Sequence, residues 1–473
     1  MFDLSFAMKQ IITTLALTSL VLSGCGSPKE VAQDSGSIAT SEATDVGQTQ
    51  LKLKIEKDIV PLTKADEEFS RRIQVLSSEA NKLQYNFDFS SASKKWREAE
   101  TLLQNQFGVD SWQTQNAKVA AETATVQAEF SAEQIELLKE VFSKQAQVSQ
   151  ALRDSNIDEA LRLSHESTQM TETLFGAESF MMGKQLMQLA RMNQHAGNVD
   201  AAATHFLKAV NTLKTILGEV HPDLEMGYAY LGEIYLAKAD RSRAISHLTT
   251  STAIARELWG EGSLRYSARA NDLGVAYYRN KEYNSAVKVL RAAEAIRRER
   301  LTANHPQVAH SLTNLGVVYM ELEQNDLANQ CLTHAHSVFD QHYHSGHRLT
   351  SDCKSKLATV RLALGDAASA EKLLSELIAN LQDSSSPQVT ASLQYRLGNA
   401  LTQQGKFRRA EPLLKSAMRI QTATFGKTDE STIKTMRSLS RLLNNSNRSN
   451  EANEIEAQIQ RVAQSINEEN TVH

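Results

Sequence analysis

The chain has 473 residues, 41% of them hydrophobic and 22% charged, with only 20 Gly and 6 Pro. So few turn-formers exclude the many tight reversals of a sandwich or barrel, and this apolar content with a formal net charge of −4 excludes general disorder. There is no basic excess to neutralise phosphates, which excludes nucleic acid as the main partner; long helices of Ala, Leu, Gln, Glu, Lys and Arg are what the composition favours.

In chain order, the first element is the apolar run Ile11 to Leu22, preceded by Lys9. As a helix it would span ~18 Å, short of the ~30 Å hydrocarbon core. A basic residue, a short apolar run and then small residues make signal-peptide grammar over residues 1–24, with Met8 as an alternative start. Leu22-Ser23-Gly24-Cys25 resembles the lipobox of bacterial lipoproteins. In that family the cysteine thiol takes a diacylglyceryl group, the chain is cut before it, and the new amino group is acylated. The resemblance implies a palmitate-type lipid anchor at Cys25 and a place in the cell envelope. Gly26-Ser27, with no Asp after the cysteine, implies the outer membrane over the inner. Residues 25–66 then read as the lipidated cysteine and a tether rich in Ser, Thr, Ala and Gly, too polar to order itself. Cys331 and Cys353 have no CxxC spacing and are expected as two buried free thiols.

Repeats fill the rest. Ala160, Ala202, Ala244, Ala286, Ala328, Ala370, Ala410 and Ala452 follow one another at 42 residues, with a single step of 40. Twelve positions before five of them stand Ala190, Gly232, Gly274, Gly316 and Gly398; Phe175-Gly176, Leu217-Gly218, Trp259-Gly260 and Phe425-Gly426 close several units. An earlier copy at Ala92 and Phe107-Gly108 gives a first repeat over 67–108, an insertion over 109–134 (an extra helix extending the repeat that follows), eight repeats over 135–468 and a tail over 469–473. Within a repeat, Leu312, Leu315, Gly316 and Tyr319 mark one helix face, and Ala328, Leu332 and Ala335 mark a second helix. Pro222, Pro306 and Pro387 begin units, where a helix start tolerates the missing N–H; Pro412 falls inside a helix and is expected to bend or fray it.

The Leu-Gly, Tyr and small-residue spacing resembles the tetratricopeptide repeat. The 42-residue length and the His221-Pro222 and His305-Pro306 starts are similar to its kinesin-light-chain-type variety, as is Ala410-Glu411-Pro412-Leu413-Leu414-Lys415-Ser416-Ala417. The resemblance implies an all-α fold: a right-handed superhelical solenoid of about nine antiparallel helix pairs. It also implies a groove lined by the first helix of each pair. One residue past the core stripe, and on the side opposite it, lie Asn271, Asp272, Tyr278 and Arg279, then His310, Asn314 and Glu321, then Tyr395, Arg396 and Asn399. Asn offers a peptide backbone both a donor and an acceptor, and Tyr and Arg most often dominate binding energy.

Candidate chemistry is thin. Gly426-Lys427-Thr428 lacks the earlier glycine of a phosphate loop, since Gln421 stands there, and HExxH, GxSxG and GxGxxG do not occur. His334, His336, His342, His344 and His347 crowd one stretch. However, His334 and His336 fall on different helix faces, and the other three fall in an inter-repeat loop, so no fixed metal site is expected. No catalytic residue and no cofactor is expected. The function read from the sequence is a membrane-anchored adaptor that binds other proteins or extended peptides in the bacterial envelope. The alternative is a peptidoglycan- or polysaccharide-binding accessory of cell-wall enzymes, which the 6% aromatic content disfavours.

Overall fold

The computed structural model describes residues 64–381 and 386–471. The expected signal peptide, Cys25 and nearly all of the tether lie outside the described residues. Among the described residues every regular element is an α-helix, 19 in all. An N-terminal hairpin, α1 (Lys64–Tyr85) and α2 (Phe89–Phe107), is followed by α3 (Trp112–Ala128). Eight helix pairs follow: α4 (Ala132–Arg153) with α5 (Ile157–Phe175), α6 (Phe180–His195) with α7 (Val199–Leu217), α8 (Pro222–Ala237) with α9 (Arg241–Trp259), α10 (Leu264–Arg279) with α11 (Tyr283–Leu301), α12 (Pro306–Glu321) with α13 (Asn325–His342), α14 (Arg348–Ala363) with α15 (Ala367–Ala379), α16 (Pro387–Gln403) with α17 (Phe407–Phe425), and α18 (Glu430–Asn445) with α19 (Ser449–Thr471). The chain divides into two units, one ending at Ile296 and one beginning at Arg297, inside α11. Each is an all-α, tetratricopeptide-like stack in which a helix packs on its neighbours in sequence.

The 42-residue period is written into the backbone. Ser155, Gly197, Ala239, Lys281, Glu323, Gly365, Gly405 and Asn447 occupy the same turn within each pair, and all have positive φ. At the fifth of these turns, Glu323 N–H donates to Met320 O at 3.1 Å and Gln324 N–H to Tyr319 O at 2.9 Å, which closes the helix with a left-handed residue. The marker alanines 160, 202, 244, 286, 328, 370, 410 and 452 are all 0% exposed. Their small side chains sit at the close crossing of the two helices. The glycine markers serve the same crossing from the other side. A Cβ added at Gly316 would lie 2.6 Å from Leu332 Cγ, and one at Gly274 would lie 2.5 Å from Leu290 Cγ.

Pair starts are capped in a way the His-Pro pattern only hinted at. Nδ1 of His221 accepts from Asp223 N–H at 3.1 Å, Nδ1 of His305 accepts from Gln307 N–H at 3.1 Å, and Nδ1 of His347 accepts from Leu349 N–H at 3.3 Å. A histidine can do this only while neutral. Pro222, Pro306 and Pro387 begin α8, α12 and α16, and α17 runs on through Pro412.

Three local expectations change. The helix in 109–134 does not extend the repeat after it. It packs mainly on α2, and its Trp112 and Val119 join the core around α6 to α9, because Ala117, Ala120 and Ala121 bury one flank in the hairpin while Trp112 needs an aromatic partner elsewhere. Cys331 is only half-buried, whereas Cys353 is buried; no disulfide joins them. His342 is the last residue of α13 and not part of the loop, since its Nδ1 lies 2.9 Å from Val338 O of the preceding turn.

Candidate binding face

The first helices of the pairs carry the candidate residues, and the two units are taken in turn. In the first unit the floor of the face is a buried ion network. Glu225 on α8 is 0% exposed. Arg269 on α10 donates from Nε to one Glu225 oxygen, and from Nη1 to Asp272 Oδ2 at 2.9 Å. The second Glu225 oxygen has no hydrogen-bond partner among the described residues. Glu233 lies two turns further along α8, with Gln194 of α6 beside it. Burial, and then the nearby Asp272 charge, push its carboxyl up to about 8 against the opposing pull of Arg269 and Arg191, so it is protonated at neutral pH. Arg191 lies over the Tyr230 ring at 5.8 Å, and Tyr230 stacks on Phe206 at 5.1 Å. One continuous network therefore joins α6, α8 and α10.

Of the sequence candidates in this unit, Asp272 belongs to that network. Tyr278 and Arg279 are half-buried, with the Tyr278 ring 6.1 Å from that of Tyr283 and Arg279 Nε without a hydrogen-bond partner among the described residues. Asn271 is different. It is buried in the stack, at 3% exposure. It faces the packing between helices because the α10 face that meets its neighbours is wider than the Leu/Gly/Tyr stripe.

In the second unit His310, Asn314, Tyr395, Arg396 and Asn399 are half-buried and Glu321 is exposed. Burial, followed by the Arg297 charge, pushes the His310 imidazole down to about 4, with Asp352 opposing. Arg297 itself donates from Nη1 to Gln307 O at 3.1 Å and to Ser311 Oγ at 3.0 Å. Arg396 reaches across from α16 to α14, donating to Ser355 O at 3.3 Å and to its hydroxyl, and burial holds its guanidinium below the usual range. Buried Lys354 pairs with Glu376 at 2.9 Å. The histidine tract stays apart: the Tyr343 and His347 rings stack at 4.2 Å and His347 caps α14. Among the described residues no three of His, Cys, Asp and Glu converge as metal ligands would.

Glu225, Glu233 and Arg269 were not among the sequence candidates, yet a signal for two of them was present. One and two periods after Glu225 stand Ser267 and Ala309; one period either side of Arg269 stand Gly227 and Ser311. A long charged side chain where the other copies carry a small one must bring its own partner. Glu233 has no such signature.

The comparisons with known proteins follow the same repeats. Family models described as the tetratricopeptide repeat match residues 266–341 and 389–465, and residues 184–223. No curated protein matches the chain. Among solved structures, it is similar to TPR-like repeats of a Podosopora anserina protein named for the kinesin light chain, with 22% identity over 44% of this chain and 98% of that one at a TM-score of 0.38. BtubC (BKLC) of P. vanneervenii has 18% identity over 48% and 91% at 0.42. The apo quorum sensor NprR of B. thuringiensis has 12% identity over 80% and 99% at 0.49.

Proposed function

We propose that this chain of tetratricopeptide repeats is a lipid-anchored adaptor of the bacterial cell envelope, holding an extended segment of a protein partner against the first helices of its pairs. Repeats of this kind are protein-interaction scaffolds, and a stack of them offers one long face instead of a closed pocket. The observation that carries the reading is the network across α6, α8 and α10. Gln194, Glu233, Asp272 and Arg279 are half-buried polar groups on successive first helices, with the buried Glu225–Arg269 pair beneath. Such groups are partly desolvated before a partner arrives, so hydrogen bonds to them are stronger than at a wet surface. Tyr230 and Arg191 supply a flat, amphipathic neighbour for a partner side chain.

The test is partner recovery from crosslinked envelopes. Glu233→Ala with Arg279→Ala should lower recovery several-fold, with helicity unchanged. Equal recovery would move binding off this face. The anchor is tested separately. Cys25→Ser should leave the protein unprocessed or free of membranes, since no helix of the described residues is long and apolar enough to cross a bilayer. Unchanged membrane fractionation after a salt wash would reject the lipid. Sucrose-gradient separation should place the acylated form with the outer membrane, as Gly26-Ser27 suggests.

A further inference from the structure

Helix α3 is the one described helix that belongs to no pair, and its place is informative. Ala117, Ala120 and Ala121 bury one flank in the α1–α2 hairpin. The other flank rests on the edge of two consecutive pairs, α6–α7 and α8–α9. The Trp112 ring lies 5.8 Å from Trp259 at the end of α9 and 6.4 Å from His221 at the start of α8. His221 Nδ1 is occupied by the Asp223 N–H, so the ring proton sits on Nε2 and is donated to Asn116 Oδ1 at 3.1 Å. A single helix thus ties the α8 cap and the α9 end to the α6–α7 pair.

The attachment is poorly satisfied for an interface so buried. Trp112 Nε1, Gln113 Nε2 and Trp259 Nε1 are buried donors without an acceptor among the described residues. Each such group has given up a bond to water without replacing it. Docking and release are therefore closer in free energy than the aromatic contacts alone would make them. We propose that α3 is a latch that sets the spacing of α6 and α8, and so controls the binding face where Arg191 of α6 lies over the Tyr230 ring of α8. The proposal rests on the reading of that face as the partner site. Docked, the latch holds one spacing; released together with the hairpin, it lets the two pairs re-space and changes what the face accepts.

Acid favours release. The groups around the His221 ring are Asn116 and Trp112 on α3, Asp223 on its own helix, Lys184 on α6 and Trp259 on α9, with Arg265 of α10 lying 5.6 Å above the Trp259 ring. Burial, with Lys184 assisting and Asp223 opposing, holds the imidazole down to about 4. A ring returned to water would titrate near 6.5, so protonation below that value pulls α3 off its seat.

The experiment uses the full chain without any partner. Spin labels at Gln188→Cys and Ala237→Cys, both exposed on α6 and α8, report the spacing once the three native cysteines are replaced by alanine. A single short distance is expected at pH 7. A second population should grow at pH 5, by up to about twentyfold if the whole shift of His221 is released, while far-ultraviolet dichroism stays constant. Asn116→Ala, on the latch itself, should produce the same population at pH 7 and speed amide exchange in α3 about fivefold, the worth of one neutral hydrogen bond. An unchanged distance in both conditions, or α3 exchanging in step with α8 and α9, would overturn the latch. Because no partner is present, that failure leaves the binding face untouched. Loss of the face in the recovery assay, with the second distance still appearing, would reject the face alone.

Discussion

At the scale of single residues, the most informative positions are those where one copy of the repeat breaks a rule its siblings keep. Gly176, Gly218, Gly260 and Gly426 follow the second helix of their pairs in left-handed conformation, but at the equivalent place after α11 stands Thr302 with φ 80°. A β-branched residue is strained there. Thr302→Gly should therefore raise stability by about 1 kcal/mol, read as a shift in the urea midpoint with unchanged slope. Glu323→Gly should act in the same direction by about half as much, because an unbranched residue tolerates this conformation better. A lower midpoint for either would mean that the side chain has a partner worth more than the strain. The histidines set a pH limit. His221 and His310 are each pushed down to about 4 in the fold and titrate near 6.5 when unfolded. The unfolded chain therefore takes up protons first. Stability is full above pH 6.5 and falls as pH drops toward 4, by about 3 kcal/mol for each ring at most. Glu233 works in the opposite sense. Its raised carboxyl weakens the fold as pH rises from 4.5 toward about 8. The melting temperature should peak near pH 6 to 7, and Glu233→Gln should steepen the rise between pH 4.5 and 6.5 and flatten the alkaline side. A monotonic rise from pH 4 to 9 would contradict the Glu233 assignment, and no fall between pH 6.5 and 4 would contradict the histidine assignments.

Individual helices owe their place to the crossing within each pair. Gly316 and Leu332 are sixteen residues apart, as are Gly274 and Leu290, and the same interval separates Gly398 from Leu414. The leucine occupies the space a Cβ would need, so Gly316→Leu should cost about 3 kcal/mol or more, and Gly316→Ala less. Equal melting temperatures for Gly316→Leu and wild type would mean the crossing lies elsewhere. Ala358 takes the equivalent place on α14 at 0% exposure, which shows that a neighbouring pair adjusts to one methyl group. Helix α3 obeys none of this. It carries buried residues on several sides, among them Trp112, Gln113, Ala117, Ala120 and Ala124, as expected of a helix clasped between a hairpin and a stack.

On the scale of the molecule, the decisive feature of the first unit is a charge pair hidden beneath its binding face. Removing one partner leaves the other uncompensated. Arg269→Met should cost about 3–5 kcal/mol because Glu225 is then buried alone. Glu225→Ala combined with Arg269→Ser should recover most of that loss, since other repeats carry Ala309 and Ser311 at those places. A double variant as unstable as the single one would show that the pair shapes the face itself, as well as filling it.

The order of helices, their pairing and the crossing residues follow from a 42-residue period, because each repeat meets mainly its neighbours in sequence and local spacing then determines contact. That is why Ala160 through Ala452, Pro222, Pro306 and the closing glycines could be assigned from the chain alone, as could the tetratricopeptide character of the stack. Tertiary structure decided the rest. The seat of Trp112 on His221 and Trp259 joins residues more than a hundred positions apart and has no copy in other repeats. The burial of Asn271 depends on how wide a flank α10 gives its neighbours, which one helix's periodicity does not record. The state of Glu233 depends on Gln194 and Asp272 arriving from separate helices. Burial and charge act through distances in space, and a carboxylate's partners are fixed only when the helices carrying them have packed.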